Sequence, residues 1–183
     1  MHKILEMPSK KRRDEFLAAA KRSRRLHSRW VSAPGTPEEF DAYLRSYKQS
    51  NRLGYWIVTE TDQLAGVINI SQIVGGFFQS GYLGYYAFTP HESRGYMSEG
   101  LRAVITRAFR THGLHRLEAN IQPENRASKR LVERLGFRLE GFSPRYLKIA
   151  GRWRDHERWA ITAEEWPSAR HHPAASQPRK FSS

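Results

Sequence analysis

Thr89-Pro90-His91-Glu92-Ser93-Arg94-Gly95-Tyr96-Met97-Ser98-Glu99-Gly100-Leu101 joins two segments of different period. Before it, Gly81–Phe88 is rich in tyrosine and reads as a strand. After it, a helical pattern runs from about Tyr96 to Thr111 and stops at His112-Gly113, where glycine suits a left-handed turn. The connection is short and polar, with the single glycine Gly95. Such a turn leaves the first N–H groups of the helix without backbone partners, and the helix dipole favours an anion there. A pyrophosphate is the natural occupant, and Arg94 adds charge. A plain strand-to-helix connection has the same appearance, and one glycine does not separate the two. No Gly-Lys-Ser/Thr closes the loop, so it is not a Walker motif.

Upstream, His2–Met7 is a candidate first strand, and Lys10 to about Leu26 places Phe16, Leu17 and Ala20 at helical spacing among charges. Thr36-Pro37-Glu38-Glu39 is a helix start with a capping side chain, Pro at the first position and acids in the first turn. Phe40, Tyr43, Leu44 and Tyr47 extend it toward Ser50. Tyr55–Val58, Ala65–Ile73 and Gly81–Phe88 then form three antiparallel strands. Downstream, Leu117, Ala119 and Ile121 alternate as a strand, and Ala127, Leu131 and Leu135 line a helix stopping at Gly136. Phe137–Ile149 and Trp153–Ile161 make a closing hairpin around Ala150-Gly151. The order predicts an α/β (α+β) domain, a mixed, mostly antiparallel sheet flanked by helices.

Residues 1–29 hold ten Lys/Arg against three acids, and the segment from Pro167 adds three basic residues and no acid. These two ends supply +10 of the +13 net charge. We therefore expect one domain over 1–166 and a disordered basic tail over 167–183. Basic ends favour solubility, or attract phosphate-rich partners across a Debye length of about 8 Å. The chain has no cysteine, which excludes disulfides, thiolate metal sites and a thiol nucleophile. No apolar run approaches the ~20 residues of a membrane span, and a soluble, cytoplasmic protein is expected. No histidine has metal-ligand spacing.

A second stretch, Asn120-Ile121-Gln122-Pro123-Glu124-Asn125-Arg126-Ala127-Ser128, continues to Leu135-Gly136-Phe137. Asn125 stands where a helix cap belongs, with Ser128 on the same helix end. They either satisfy free N–H groups or face a ligand lying between two helix starts.

With Arg94-Gly95-Tyr96-Met97-Ser98-Glu99 before it and Glu140-Gly141 after it, this constellation resembles the GNAT superfamily of acetyltransferases. Within that superfamily, Tyr146-Leu147-x-Ile149-x-Gly151-x-Trp153-Arg154-Asp155-His156 is similar to the RimJ/RimL-type ribosomal-protein alanine N-acetyltransferases. The similarity spans about Gly54 to Trp166. The usual cofactor loop reads Gln/Arg-x-x-Gly-x-Gly/Ala, whereas Glu92, Gly95 and Met97 occupy those places here. Ser93-Arg94-Gly95 stands where this branch often has Gly-Lys-Gly. Two expectations follow: Ser93 keeps φ below zero, and Glu92 faces solvent, away from a pyrophosphate.

The resemblance implies acetyl-CoA between two splayed strands, Gly81–Phe88 and Arg116–Gln122. Its pantetheine would pair with the backbone of Tyr86, Ala87 and Phe88, and its pyrophosphate with the N–H groups of Ser93, Arg94, Gly95, Tyr96, Met97 and Ser98. Asn125 and Ser128 would face the pantetheine. Without cysteine, direct attack of a neutral amine through a tetrahedral intermediate is the simplest path. An α-amine has a pKa of about 7.7–8.0, so roughly a tenth is neutral at pH 7 and modest base assistance suffices. Glu118, on the strand face opposite Leu117, Ala119 and Ile121, is the candidate base. A backbone N–H near Ala87 would stabilise the oxyanion, and Ser128, or alternatively Tyr146, would protonate the leaving thiolate. Trp30, Tyr43 and Tyr47 belong to the region that walls the acceptor in this fold, although the two tyrosines also suit a core. The acceptor is read as a protein N-terminus, plausibly ribosomal, with the basic N-terminal region on rRNA. A small amine such as an antibiotic or polyamine, and a non-catalytic ribosome- or RNA-binding protein of the same fold, stand as alternatives. The edge strands leave homodimerisation open.

Overall fold

The computed structural model describes residues 4–167. Seven strands form one sheet in the order β1-β2-β3-β4-β5-β7-β6. They are β1 (Leu5–Glu6), β2 (Leu53–Val58), β3 (Leu64–Val74), β4 (Ser80–Ala87), β5 (Arg116–Ile121), β6 (Arg138–Ile149) and β7 (Arg152–Thr162). Five helices accompany them: α1 (Arg13–Arg22), α2 (Arg24–His27), α3 (Pro37–Ser46), α4 (Tyr96–Arg110) and α5 (Arg126–Arg134). The predicted element order holds throughout. Most of the segment expected to be a disordered tail lies outside the described residues.

Two boundaries differ from expectation for identifiable reasons. The first long helix becomes a 3₁₀ turn at Lys10–Arg12 followed by α1 and α2, broken at Ser23. The buried Ser23 hydroxyl donates to Ala19 O at 2.7 Å and accepts from the Thr89 N–H at 2.9 Å, so the break ties α1 to the end of β4. Helix α3 stops at Ser46 instead of Ser50, and the Tyr47 hydroxyl leaves the helix to bond Asn69 across the sheet.

Strand alternation divides the core in two. On one face, Ile68, Ile70 and Leu83 pack with Leu101, Val104 and Ile105 of α4 and with Leu131 and Val132 of α5. On the other, Trp56, Val67, Tyr86 and Phe88 meet Phe16 of α1 and Phe40 of α3. Phe16 lies 5.1–5.5 Å from Phe40, Trp56 and Phe88, ring centre to ring centre. Each of these fully buried aromatics contributes about 1.5–3 kcal/mol, which fixes the basic N-terminal helices on the sheet despite their like charge.

The feature that positions a site is the junction of β4 and β5. These parallel strands pair only at Ser80↔Arg116, Gly81↔Leu117 and Tyr82↔Glu118. Beyond Tyr82 they diverge, while β3 continues alongside β4 to Ala87 and β7 alongside β5 to Ile121. A V-shaped notch therefore opens in the middle of a seven-stranded sheet.

Candidate active site

The notch ends at two helix starts. At α4, Gly95 is the N-cap with φ 88° and no side-chain cap, and the first intrahelical bond runs from Glu99 N to Gly95 O at 3.0 Å. The N–H groups of Tyr96, Met97 and Ser98 therefore lack intrahelical acceptors. Ser93 also takes positive φ, 61°, contrary to the expectation from its side chain. The two left-handed residues, one on each side of Arg94, curl the loop into a concave run of N–H groups suited to phosphate oxygens. Ser93, Arg94 and Gly95 are exposed, while the Tyr96 hydroxyl bonds Glu60 at 2.7 Å and Met97 packs into the core. Glu92 corrects a second expectation. It is half-buried, with Oε1 3.4 Å from the Thr89 hydroxyl and Oε2 buried without a hydrogen bond. Its carboxylate thus packs beneath the loop.

At α5, Asn125 Oδ1 accepts the Ser128 N–H at 3.1 Å, the geometry of an N-cap. The Ser128 hydroxyl is 2.6 Å from the Tyr85 hydroxyl, linking α5 to β4 across the notch. Burial pushes the Tyr85 phenol up to about 12, against the opposing effect of the Ser128 hydrogen bond, so it stays protonated at neutral pH. Sequence reasoning missed Tyr85. Its signal was parity, because it faces away from Tyr86 and toward the α5 side.

The β4 backbone corrects part of the expected cofactor contact. Phe88 N donates to Ala65 O at 2.8 Å, and antiparallel alternation turns the Tyr86 polar groups to β3 as well. Phe88 is fully buried, so neither its N–H nor its ring reaches the notch. Ala87 faces the other way. Its carbonyl accepts from His27 Nε2 at 2.8 Å, leaving its N–H directed at the notch. Burial lowers the His27 pKa, so the ring is neutral with its proton on Nε2. No local pattern announces His27, because its partner lies 60 residues away.

The opposite face of the notch carries Tyr82, Glu118, Asn120 and Tyr146. Glu118 is half-buried opposite Tyr82 and receives the Arg116 guanidinium at 2.9 Å. Arg116 also binds Glu140, which is the first cause of its raised pKa and which in turn lies below the usual carboxylate range. Glu118 is therefore one arm of an ion-pair chain. The Tyr82 phenol is pushed up to about 12 by burial, then by a hydrogen bond with Tyr146 and the Glu118 charge. Tyr146 also stacks edge-on against His156, 6.2 Å away. Asn120 keeps a buried Oδ1 without a hydrogen bond on this face. Of the three residues expected to be catalytic, Glu118 and Tyr146 thus share a cluster, whereas Ser128 stands on the other side of the sheet.

A cavity of about 390 Å³ extends from this second face, lined by Arg29, Trp30, Gln122, Pro123, Trp153 and Asp155 among others. Gln122 Nε2 bonds Arg29 O at 3.1 Å and closes its floor. Trp30 is accordingly a wall of this cavity, while Tyr43 and Tyr47 line a smaller one nearby. Among the described residues, no cluster of His, Cys, Asp and Glu suits a metal ion, and no helix is long and apolar enough to cross a membrane.

A sheet that splays beside two helix starts, one uncapped and glycine-led, is the arrangement that the resemblance to acetyltransferases implies. The profile of the acetyltransferase (GNAT) domain matches residues 4–138. The chain belongs to the GNAT acetyltransferase family. It is 36% identical over 144 residues to the [ribosomal protein uS5]-alanine N-acetyltransferase of Escherichia coli, covering 78% of this chain and 71% of that one. It is 32% identical over 133 residues to the probable N-acetyltransferase YjcK of Bacillus subtilis, covering 72% and 74%. Mycobacterium smegmatis RimJ, solved in complex with CoA-disulfide, superposes with a TM-score of 0.81 at 25% identity, over 90% of this chain and 83% of that one. The fold is shared with Vibrio cholerae spermidine N-acetyltransferase, solved with CoA and spermine, at TM-score 0.75 and 18% identity over 88% and 95%. This GNAT protein is an N-acetyltransferase that uses acetyl-CoA. The loop geometry agrees with that cofactor, since its free N–H groups and Arg94 suit a pyrophosphate.

Proposed function

We propose that the chain acetylates the α-amine of a protein N-terminus, with a ribosomal protein as the natural acceptor. The observation that carries this reading is the acceptor side of the notch. Its carboxylate, Glu118, is tied to Arg116, and the adjoining cavity is walled by Trp30 and Trp153, with Arg29 and Arg154 balancing Glu124 and Asp155. An α-amine is roughly a tenth neutral at pH 7 and needs only modest base assistance, whereas a lysine side chain is almost wholly protonated. Similarity to the uS5-alanine enzyme supports the same acceptor class. The basic N-terminal helices suit an encounter with rRNA.

Acetyl-CoA supplies an activated thioester. The Tyr96, Met97 and Ser98 N–H groups, with Arg94, would hold its pyrophosphate, and Asn125 and Ser128 would border its pantetheine. The Ala87 N–H stabilises negative charge on the carbonyl oxygen, and His27, bonded to the Ala87 carbonyl, fixes the adjoining peptide. The amine nitrogen bonds to the acetyl carbon and the C–S bond breaks. The amine proton passes to Glu118, directly or through water, with Asn120 Oδ1 as a second acceptor for the amine N–H. Ser128, backed by the Tyr85 hydroxyl, protonates the thiolate. Tyr146 and Tyr82 serve Glu118 and the acceptor.

The test is coenzyme A release from acetyl-CoA, with mass-spectrometric mapping, on ribosomal proteins and on peptides with free or blocked N-termini. Acetylation confined to free α-amines is expected. Turnover on lysines or spermidine with none on free N-termini contradicts the proposal.

A further inference from the structure

A second cavity, of about 150 Å³, lies over β3 and β4 under α3, lined by Ser32, Tyr43, Tyr47, Arg52, Asn69 and Tyr86 among others. That is room for about five water molecules or one small residue. Tyr86 is 8% exposed, and its hydroxyl is buried with no hydrogen-bond partner among the described residues. A buried hydroxyl left unsatisfied is unfavourable, so this one marks a place where a polar group belongs. Its neighbours are already engaged. The Tyr43 hydroxyl accepts from Trp56 Nε1 at 3.2 Å, and the Tyr47 hydroxyl donates to Asn69 Oδ1. The Tyr86 proton and the Arg52 guanidinium are both donors, and among the described residues no carboxylate lines the cavity. The Arg52 charge, with no carboxylate to offset it among the described lining residues, favours an oxygen, neutral or anionic, over an ammonium group.

The cavity lies on the same sheet face as the acceptor side of the notch, because Tyr82, Gly84 and Tyr86 alternate on one side of β4. Asn69 sits opposite Gly84 in the β3–β4 register. Gly84 shares the face of Tyr86, is exposed, and has no atom within 4 Å of the point where a Cβ would stand. One residue beyond Tyr86, Ala87 turns its N–H into the notch. An acceptor whose amine is in the notch therefore crosses Gly84 to reach Tyr86.

We propose that this tyrosine-lined cavity is a specificity pocket in which the Tyr86 hydroxyl donates to an oxygen of the acceptor's first two residues. The oxygen is either the first peptide carbonyl or a small side chain at the second position. The assignment rests on the α-amine reading above, and gives Tyr86 a role on the acceptor and none on the cofactor.

The full-length chain carrying Tyr86→Phe loses one hydroxyl that bonds none of the described residues, so its thermal midpoint is expected to stay the same or rise. Steady-state kinetics would use peptides beginning Ala-Ala, Ala-Ser and Ala-Asp, with acetyl-CoA varied separately. The expected result is an unchanged KM for acetyl-CoA and a threefold to tenfold lower kcat/KM for the acceptor, about the effect of one hydrogen bond. A uniform loss identifies the carbonyl, and a loss confined to Ala-Ser and Ala-Asp identifies the side chain. Wild-type turnover with acceptor kcat/KM unchanged in Tyr86→Phe on every peptide overturns the pocket and leaves the α-amine reading intact. Turnover by the wild type on none of the peptides overturns both.

Discussion

The two faces of the notch are built differently. On the α4–α5 face, polar groups belong to helix starts: uncapped N–H groups after Gly95, the Asn125 cap, and the Ser128–Tyr85 pair. On the α1–α3 face, they belong to side chains brought together by the sheet: Tyr82, Glu118 and Tyr146, with the Arg116–Glu140 ion pair behind them. On the proposed reading, the first face would offer backbone to acetyl-CoA. The second offers side chains, which a sequence can vary without disturbing the fold. On the same reading, cofactor binding would rest on local geometry, and acceptor choice on long-range packing.

The comparison breaks most visibly at Glu118. Glu118→Gln should lower kcat about 10²-fold at pH 7 with KM for acetyl-CoA unchanged. The deficit should shrink above pH 9, where the α-amine is already neutral. A deficit independent of pH would assign Glu118 to the ion-pair chain alone. On the other face, Gly95→Val places a β-branched residue at φ 88°. It should weaken acetyl-CoA binding roughly tenfold by calorimetry, since left-handed backbone costs such a residue about 1–2 kcal/mol.

Ser128→Ala and Tyr85→Phe should each lower kcat/KM for acetyl-CoA a few-fold, and the double variant should be little worse than the poorer single one. Additive losses would mean that the two hydroxyls act separately. The smallest effect concerns His27, which pins α2 to Ala87. Its pKa is lowered by burial in the folded state, so the unfolded chain binds the extra proton first. The stability it contributes is complete above about pH 6.5 and is lost as pH falls. His91 and His156 shift in the same direction, also first by burial. His27→Gln should flatten the fall of the thermal midpoint below pH 6.5 by about 2–4 °C.

The same contrast governs what the sequence discloses. Gly95 before a helical run, Asn125 with Ser128, and the alternation of Leu117, Ala119 and Ile121 are local signals, and the structure keeps each of them. Where local rules gave the wrong local detail, tertiary contact had overridden them. Ser93 takes positive φ within the cofactor loop. Ser23 breaks a continuous amphipathic pattern to hold Thr89. Glu92 tucks beneath the loop it was expected to leave. His27, Tyr85 and the pairing of Arg116 with Glu140, 24 residues away, depend on contacts or strand placement that no short window contains, although Tyr85 could have been drawn from parity and Arg116 with Glu118 from their spacing on one strand face.

Hydrogen–deuterium exchange with and without acetyl-CoA tests the division of the two faces most directly. The account predicts protection concentrated at residues 93–98, at Ala87 and at 125–128, with the amides of α1 and α3 unchanged. Protection centred on α1–α3 or on the β6–β7 hairpin, with none at the start of α4, would contradict it.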